Sequence, residues 1–195
     1  MVSAILLAAG EGKRMGRPKL LMPFGRYTVL EQTIDNLLSS NVDEVVVVLG
    51  ARAGEIKHVI ADRPVKVMIN PDYHRGMSTS LIAGLKQVDG KAQKVMVALA
   101  DQPLIDGETY NRLIEASLGC DKGIVVPTYR TKRGNPVIFS IKYKNELLGL
   151  EGDVGGREIL KKHPDDIFEV AVDSESVNID INTLDDYYSH LEQEH

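Results

Sequence analysis

Short apolar runs and amphipathic stretches alternate along the first two thirds of the chain. The apolar runs have strand length, are rich in Val and Ile, and cover residues 4–9, 45–49, 65–69, 95–99 and 124–126. Between them, apolar positions recur with a helical period at residues 30–38, 54–60, 80–88 and 109–116. Strands that alternate with helices are typical of a parallel sheet covered on both faces. The pattern therefore predicts a three-layer α/β fold with a mostly parallel central sheet.

The alternation is less regular after residue 127. Residues 135–140 and 167–172 have strand character, residues 142–148 and 155–162 have helical character, and a last helix is expected to begin near Thr183. A chain of 195 residues has the size of one domain able to bury a substantial core. We expect one domain over residues 1–195, with a core over about residues 1–127, added substrate-binding elements over about residues 128–182, and a C-terminal helix.

Composition and charge exclude several kinds of partner. The net charge of -5 disfavours a general affinity for nucleic acid, because such binding relies on Lys and Arg to neutralise phosphates. Any polyphosphate must therefore be bound by a local cationic site. The single cysteine, Cys120, cannot form an internal disulfide, which suits a reducing compartment. The apolar start is too short to span a membrane and has no basic region before it. We expect a cytoplasmic protein with no membrane partner.

The first apolar run leads into a glycine-rich segment that carries basic side chains. The residues expected at the carboxyl edge of the sheet, where backbone N–H groups can approach phosphate oxygens, are Leu7, Ala8, Ala9, Gly10 and Gly12. Arg14 and Lys19 follow, and such cations offset the negative charge that develops on a leaving pyrophosphate. The segment matches neither the Walker A sequence nor the dinucleotide fingerprint. We predict a triphosphate site in which Lys19 is the first catalytic candidate; a glycine turn with solvated basic side chains is the alternative.

Acidic and amide side chains follow two other apolar segments. Asp101 comes after the fourth apolar run, at the same sheet edge as the glycine-rich segment if both strands are parallel. Asp180 and Asn182 share one face of a short extended segment before the last helix. Because phosphates and water complete the coordination of Mg²⁺, one or two protein oxygens suffice. We predict a Mg²⁺ site, with Mn²⁺ also possible, formed by Asp101 with Asp180 or Asn182. Helix capping around Thr183 and Asp186 is the alternative for the later segment.

Five sequence blocks resemble those of a known family. The sequence LAAGEGKRMGRPKLL at residues 7–21 resembles the signature of the MobA-like NTP transferases. Four further blocks resemble the molybdenum cofactor cytidylyltransferases within that family: GMSTSL at residues 76–81, LADQPL at 99–104, RGNP at 133–136 and GDVGGR at 152–157. The resemblance spans nearly the whole chain. It implies a Rossmann-like, GT-A-like nucleotidyltransferase fold, in which the first 127 residues or so bind the nucleotide and the added elements bind the acceptor.

The same resemblance implies a reaction and the residues that serve it. The reaction is the transfer of CMP from CTP to the terminal phosphate of molybdenum-bearing molybdopterin, with release of pyrophosphate. Ala9 stands where guanylyl-transferring relatives tend to carry glycine, which favours cytosine. A molybdenum hydroxylase apoenzyme is the expected recipient of the product. The implied nucleotide contacts include Asn70, Ser78 and Thr79, and the implied acceptor contacts are Arg133, Asn135, Asp153 and Arg157.

Three alternatives stay open from the sequence. A nucleotidyltransferase acting on a sugar or polyol phosphate would share the glycine-rich segment and differ in the acceptor. A noncatalytic chaperone for a nucleotide or cofactor would keep the segment without transfer, but the presence of both Lys19 and Asp101 disfavours it. An NAD-dependent oxidoreductase would need an acidic ribose contact after the second strand, where Gly50, Ala51 and Arg52 stand instead.

Overall fold

The structure, a computed structural model, describes residues 1–12 and 16–191. Within these residues the strands are β1 (Val2–Ala8), β2 (Pro23–Phe24), β3 (Tyr27–Thr28), β4 (Glu44–Leu49), β5 (Lys66–Ile69), β6 (Lys94–Leu99), β7 (Ile124–Tyr129), β8 (Lys132–Arg133), β9 (Val137–Ser140) and β10 (Ile167–Ala171). The α-helices are α1 (Val29–Leu38), α2 (Ala53–Val59), α3 (Met77–Leu85), α4 (Gly107–Gly119), α5 (Lys144–Leu148), α6 (Arg157–Lys162) and α7 (Leu184–Leu191). In this part of the chain, none of the helices has the length and apolar character needed to cross a membrane.

Eight strands of the described residues form one sheet. Seven of them lie in the order β10-β7-β9-β6-β1-β4-β5, and β8 pairs with β7. The central strand β1 runs parallel to its two neighbours, β4 and β6. The pairs β4–β5 and β7–β10 are also parallel, whereas β9 is antiparallel to both β6 and β7. The mostly parallel sheet predicted from the sequence is confirmed.

Helices cover both faces of the sheet, because successive side chains of a strand point to opposite faces. On β1, Leu6 belongs to the core shared with α1 and α4. The neighbouring Ile5 belongs to the core shared with α3 and α5. Both side chains are fully buried. A strand buried on both faces reads as a continuous apolar run, which is why the sequence pattern identified the strands of this three-layer fold.

The hydrophobic pattern of the sequence did not predict the shortest strands. Strands β2, β3 and β8 have two residues each, too few to show a period. A two-residue turn joins β7 to β8, and its residues Arg130 and Thr131 have φ values of 45° and 70°. Positive φ at both central residues matches the twist of a tight hairpin. The basic residues Arg130, Lys132 and Arg133 therefore lie in a hairpin formed by β7 and β8.

Three segments meet at the carboxyl edge of β1. This strand lies between β4 and β6, at the point where the strand order reverses, and parallel α/β sheets bind ligands at such points. The N–H of Ala100 donates to the carbonyl of Leu7 at 3.1 Å, which joins the end of β6 to the end of β1. The N–H of Ile181 donates to the carbonyl of Asp101 at 2.9 Å, so the segment before α7 reaches the same edge.

The start of α7 has the reciprocal hydrogen bonds of a capping box. The N–H of Asp186 donates to Thr183 Oγ1 at 3.1 Å, and the N–H of Thr183 donates to Asp186 Oδ2 at 2.8 Å. Capping by these two residues is confirmed. Because the two residues satisfy the cap, the side chains of Asp180 and Asn182 are not needed for it.

Candidate functional site

A cavity of about 650 Å³ opens at the carboxyl edge of β1 and β6. Its volume lies in the range of small-molecule binding sites. The predicted site residues that line it are Leu7, Ala8, Ala9, Gly10, Gly12, Lys19, Asp101 and Asp153. Tyr73, His74 and Arg75, which have no predicted role, also line it, together with Met77 and Ser80 of the block at residues 76–81. Of the predicted catalytic residues, Arg14 lies outside the described part of the chain.

The glycine-rich segment presents its backbone to the cavity. The N–H of Ala51 donates to the carbonyl of Ala9 at 3.3 Å and anchors the end of β1. Gly12 has a φ of 62°, in the left-handed region that favours glycine. Gly10 differs, because a Cβ at this position would meet no other atom within 4 Å. Packing among the described residues does not require glycine there, and a methyl group would project into open space.

Lys19 lies in a short 3-10 helix, Lys19–Leu21, and points at the oxygens of two distant segments. Its Nζ donates to Asp101 Oδ2 at 2.5 Å and to Asn182 Oδ1 at 3.2 Å. The side chains of Lys19 and Asp101 are only 16% and 17% exposed, which limits screening of this ion pair by water. The structure thus brings the first catalytic candidate into contact with two of the three predicted metal ligands.

The third predicted ligand, Asp180, is held beside them by Gln102. Gln102 is 1% exposed, and its Nε2 donates to Asp180 Oδ1 at 2.7 Å. Burial raises the pKa of Asp180, and the nearby Asp101 carboxylate raises it further. The positive charges of Lys19 and Arg157 oppose this rise. Gln102 is adjacent to Asp101 in sequence, so one strand end positions both carboxylates.

These oxygens fit a hard divalent cation. Asp101 and Asn182 already contact one cation, because the Lys19 ammonium donates to both. Their oxygens therefore accommodate a positive charge at this place. Within residues 1–12 and 16–191, no group of three or more His, Cys, Asp or Glu side chains is placed to hold a metal ion. Mg²⁺ or Mn²⁺ would therefore be held by one or two carboxylates and an amide oxygen, with phosphate oxygens and water completing the coordination.

Two glycine-containing blocks that are far apart in sequence interlock at the cavity mouth. Ser78 Oγ donates to the carbonyl of Gly152 at 2.7 Å, and the N–H of Met77 donates to Asp153 Oδ1 at 3.1 Å. A Cβ at Gly76 would lie 2.5 Å from the Gly152 oxygen, a contact that only glycine avoids. The two blocks therefore form one wall, and Ser78 contributes to it by joining its halves.

Asn70 and Thr79 support the same wall from behind. Asn70 is 4% exposed, and its Nδ2 donates to Thr79 Oγ1 at 2.9 Å and to Ser80 Oγ at 3.0 Å. Thr79 Oγ1 in turn lies 2.9 Å from the Gly76 carbonyl, to which it can donate. Ser80, the next residue of the block, lines the cavity. Direct nucleotide contact by Asn70, Ser78 and Thr79 remains a prediction, and the contacts seen position the wall.

The predicted acceptor residues lie in different surroundings. Asp153 lines the cavity, and Arg157 begins α6 close enough to Asp180 to act on its pKa. Arg133 instead forms an ion pair with Glu169 on β10, with Nε and Oε1 2.6 Å apart. Asn135 is 9% exposed, and its N–H donates to the carbonyl of Val177. The structure does not bring Arg133 and Asn135 to the cavity lining, so their acceptor role stays a prediction.

Sequence and structure comparisons agree with this geometry. Residues 4–167 match the MobA-like NTP transferase domain. The chain is 31% identical to the nicotine blue oxidoreductase of Paenarthrobacter nicotinovorans, over 96% of this chain and 95% of the relative. It is 25% identical to the molybdenum cofactor cytidylyltransferase of Escherichia coli, over 98% of this chain and 96% of the relative.

A solved structure with the same fold is Rv0371c of Mycobacterium tuberculosis. It superposes with a TM-score of 0.89 at 32% sequence identity, covering 98% of this chain and 97% of that chain. Rv0371c has also been solved in complex with manganese, and that structure superposes with a TM-score of 0.85 at 30% identity, covering 98% of each chain. The family resemblance and the Rossmann-like fold expected from the sequence are both confirmed.

Proposed function

Because the chain belongs to the MobA-like NTP transferase family, we propose that it transfers CMP from CTP to the terminal phosphate of a molybdenum-bearing molybdopterin. The observation that carries this proposal is that Lys19, which lines the cavity together with Asp101, contacts both Asp101 and Asn182. A cationic side chain beside oxygen ligands is the arrangement that a metal-bound triphosphate requires. Mg²⁺ is the proposed metal, and the manganese complex of Rv0371c supports Mn²⁺ as a substitute.

The chemistry needs little beyond positioning and charge neutralisation. An acceptor phosphate oxygen forms a bond to the α-phosphorus, the bond to the α,β-bridging oxygen breaks, and pyrophosphate leaves with the electron pair. The acceptor is already anionic, so no strong general base is required. Lys19 would donate to a phosphate oxygen and offset the charge on the leaving group. When bound, the divalent cation supplies further neutralisation and orients the phosphates.

The choice of CTP and of acceptor rests on similarity and on Ala9. The cytidylyltransferase of Escherichia coli aligns over nearly the full length of this chain. Ala9 lines the cavity and is 6% exposed, at the position where the family resemblance favours cytosine. A sugar or polyol phosphate is the competing acceptor, and a molybdenum hydroxylase apoenzyme is the proposed recipient of the product.

The similarity to nicotine blue oxidoreductase favours a second candidate, an oxidoreductase that uses the same cavity. The oxygen ligands around Lys19 weigh against it, because hydride transfer from a nicotinamide needs no divalent cation at the phosphates. Nucleotidyl transfer does need one. The two candidates therefore differ in their metal dependence, which a single assay can compare.

The experiment combines the protein with Mg²⁺ or Mn²⁺, each of the four NTPs, and one acceptor at a time. The acceptors are molybdenum-bearing molybdopterin, a sugar phosphate and a polyol phosphate. We expect pyrophosphate release with CTP and molybdopterin, and a product mass equal to the cytosine dinucleotide. Release only with another acceptor would reassign the acceptor. Metal-independent consumption of NADH or NADPH, without pyrophosphate release, would support the oxidoreductase instead.

Substitutions test the assigned side chains in the same assay. Lys19→Ala and Asp101→Ala should each lower kcat about 100-fold or more, since loss of one group that stabilises transition-state charge costs roughly 10²–10³ in rate. Lys91→Ala and Asp121→Ala, at exposed positions away from the cavity lining, are the matched controls. Equal activity of the site variants and the controls would refute the assigned roles.

A further inference from the structure

We propose that the Lys19 ammonium occupies the metal position of the ligand-free protein, so that the divalent cation and the triphosphate bind cooperatively. The inference rests on the proposed function for the identity of the ligands. It concerns the order and coupling of their binding rather than the transfer step. Its starting point is that Lys19 contacts the oxygens proposed to hold the metal, Asp101 Oδ2 at 2.5 Å and Asn182 Oδ1 at 3.2 Å.

An ammonium bound to these oxygens opposes the entry of a divalent cation at the same place. Both prefer carboxylate and amide oxygens, and the repulsion between two adjacent positive charges grows as water is excluded. The side chains of Lys19 and Asp101 are less than a fifth exposed, so solvent screens the repulsion only partly. A cation that enters alone must therefore displace the ammonium from Asp101, the carboxylate that it contacts.

A triphosphate removes this conflict. Lys19 has a flexible four-carbon side chain, and it lines the same cavity as the glycine-rich backbone. Its ammonium can leave Asp101 for a phosphate oxygen when a nucleotide is bound. Asp101 Oδ2 is then released from the ammonium, and the metal can bind there. Each ligand consequently strengthens the binding of the other, and thermodynamic linkage requires the two effects to be equal.

Asp180 increases the effect of removing the Lys19 ammonium on metal binding. Asp180 lies close enough to Asp101 for the like charge to act on it, and Gln102 donates to its Oδ1 atom. Removing the Lys19 charge would leave Asp101 without the ammonium that it contacts, beside a second carboxylate, Asp180. Such a pair of carboxylates attracts a divalent cation more strongly. Neutralising Lys19 should therefore improve metal binding in the absence of nucleotide, although it impairs the reaction.

The test measures Mn²⁺ binding to the free protein by electron paramagnetic resonance, with no turnover required. Lys19→Met keeps the length of the side chain and removes its charge, whereas Lys19→Arg keeps the charge. We expect Lys19→Met to bind Mn²⁺ at least tenfold more tightly than the unsubstituted protein, and Lys19→Arg to bind it no more tightly. Lys91→Met, at an exposed position, should match the unsubstituted protein. Adding Asp101→Asn to Lys19→Met should abolish the gain and so locate the bound ion.

A CTP analogue with a non-cleavable α,β bridge completes the cycle. It should raise Mn²⁺ affinity by a larger factor in the unsubstituted protein than in Lys19→Met, because only the former has an ammonium to relocate. Mn²⁺ affinity of Lys19→Met equal to or below that of the unsubstituted protein would overturn the inference. The proposed function has an independent test, since pyrophosphate release by the unsubstituted protein does not depend on this result.

Discussion

The interlocked wall of the cavity makes Gly76→Ala an informative substitution. Gly76 has φ of 115° and ψ of 169°, a backbone region essentially reserved for glycine, where another residue costs about 1–3 kcal/mol. An alanine Cβ would also lie 2.5 Å from the Gly152 oxygen and 2.7 Å from the Asp153 nitrogen. Both are backbone atoms, so no side chain can rotate to relieve the contact.

Relief of this contact requires the two blocks to separate. Separation would break the hydrogen bond from Ser78 Oγ to Gly152 and the bond from the Met77 N–H to Asp153. Each is worth about 0.5–1.5 kcal/mol. Together with the backbone strain, we expect Gly76→Ala to lower the free energy of unfolding by about 2–6 kcal/mol. Because the same wall lines the cavity, the KM for the nucleotide should rise as well.

Urea unfolding measures the change in the free energy of unfolding. Circular dichroism is a suitable signal for it, because the chain contains no tryptophan. The control is Gly54→Ala in α2, where a Cβ would meet no atom within 4 Å and φ is not positive. Alanine there should raise stability by up to about 1 kcal/mol, through its higher helix propensity. If Gly76→Ala unfolded at the same urea concentration as the unsubstituted protein and kept its KM, the proposed interlocking would be wrong.

Three further predictions concern single side chains. Gly10→Ala should change the free energy of unfolding by no more than about 0.5 kcal/mol, because the added methyl meets only open space. The same methyl should raise the KM for CTP about tenfold or more, and an unchanged KM would contradict this prediction. Gln102→Leu removes the hydrogen bond to Asp180, and a hydrogen bond to a charged group is worth about 1.5–3 kcal/mol. We therefore expect kcat/KM to fall about tenfold or more, and unchanged kinetics would refute the positioning role of Gln102. Partial burial raises the pKa of Asp166, but hydrogen bonds from Lys142, Tyr143 and the Gly123 backbone outweigh it and lower the pKa to about 2. This stabilisation is present above the unfolded pKa of 3.8 and is lost as the pH falls through about 2. Asp166→Asn should therefore lower stability by about 1–2 kcal/mol at pH 7 and have little effect near pH 2, as measured by urea unfolding at both pH values.

Local sequence patterns predicted much of the candidate site. The small residues after β1 and the carboxylate after β6 were identified because a buried strand followed by a glycine or an aspartate is a local pattern. Their meeting at one sheet edge followed from the expectation of parallel strands, which the structure confirms. The capping pair Thr183 and Asp186 was visible for the same reason, since capping bonds join residues three apart.

The sequence pattern did not predict which residues the individual side chains contact. Arg133 sits in a matched block, but strand order places it beside Glu169 on β10 rather than at the cavity lining. Nucleotide contact by Asn70 and Ser78 stays a prediction, but their hydrogen bonds to Ser80 and to the Gly152 carbonyl could not be predicted from the sequence. Tyr73, His74 and Arg75 form a 3-10 helix of three residues, too short to show a period, although they line the cavity.

The sequence by itself determined the α/β class, the family, and the strand ends at which chemistry is expected, because hydrophobic period and short motifs report local conformation. Only the tertiary structure decided that Lys19 contacts Asp101, 82 residues away, and Asn182, 163 residues away. Strand order and register bring these side chains together, and a local period specifies neither. The coupling proposed between metal and nucleotide depends on that contact, so it became visible only once the chain was folded.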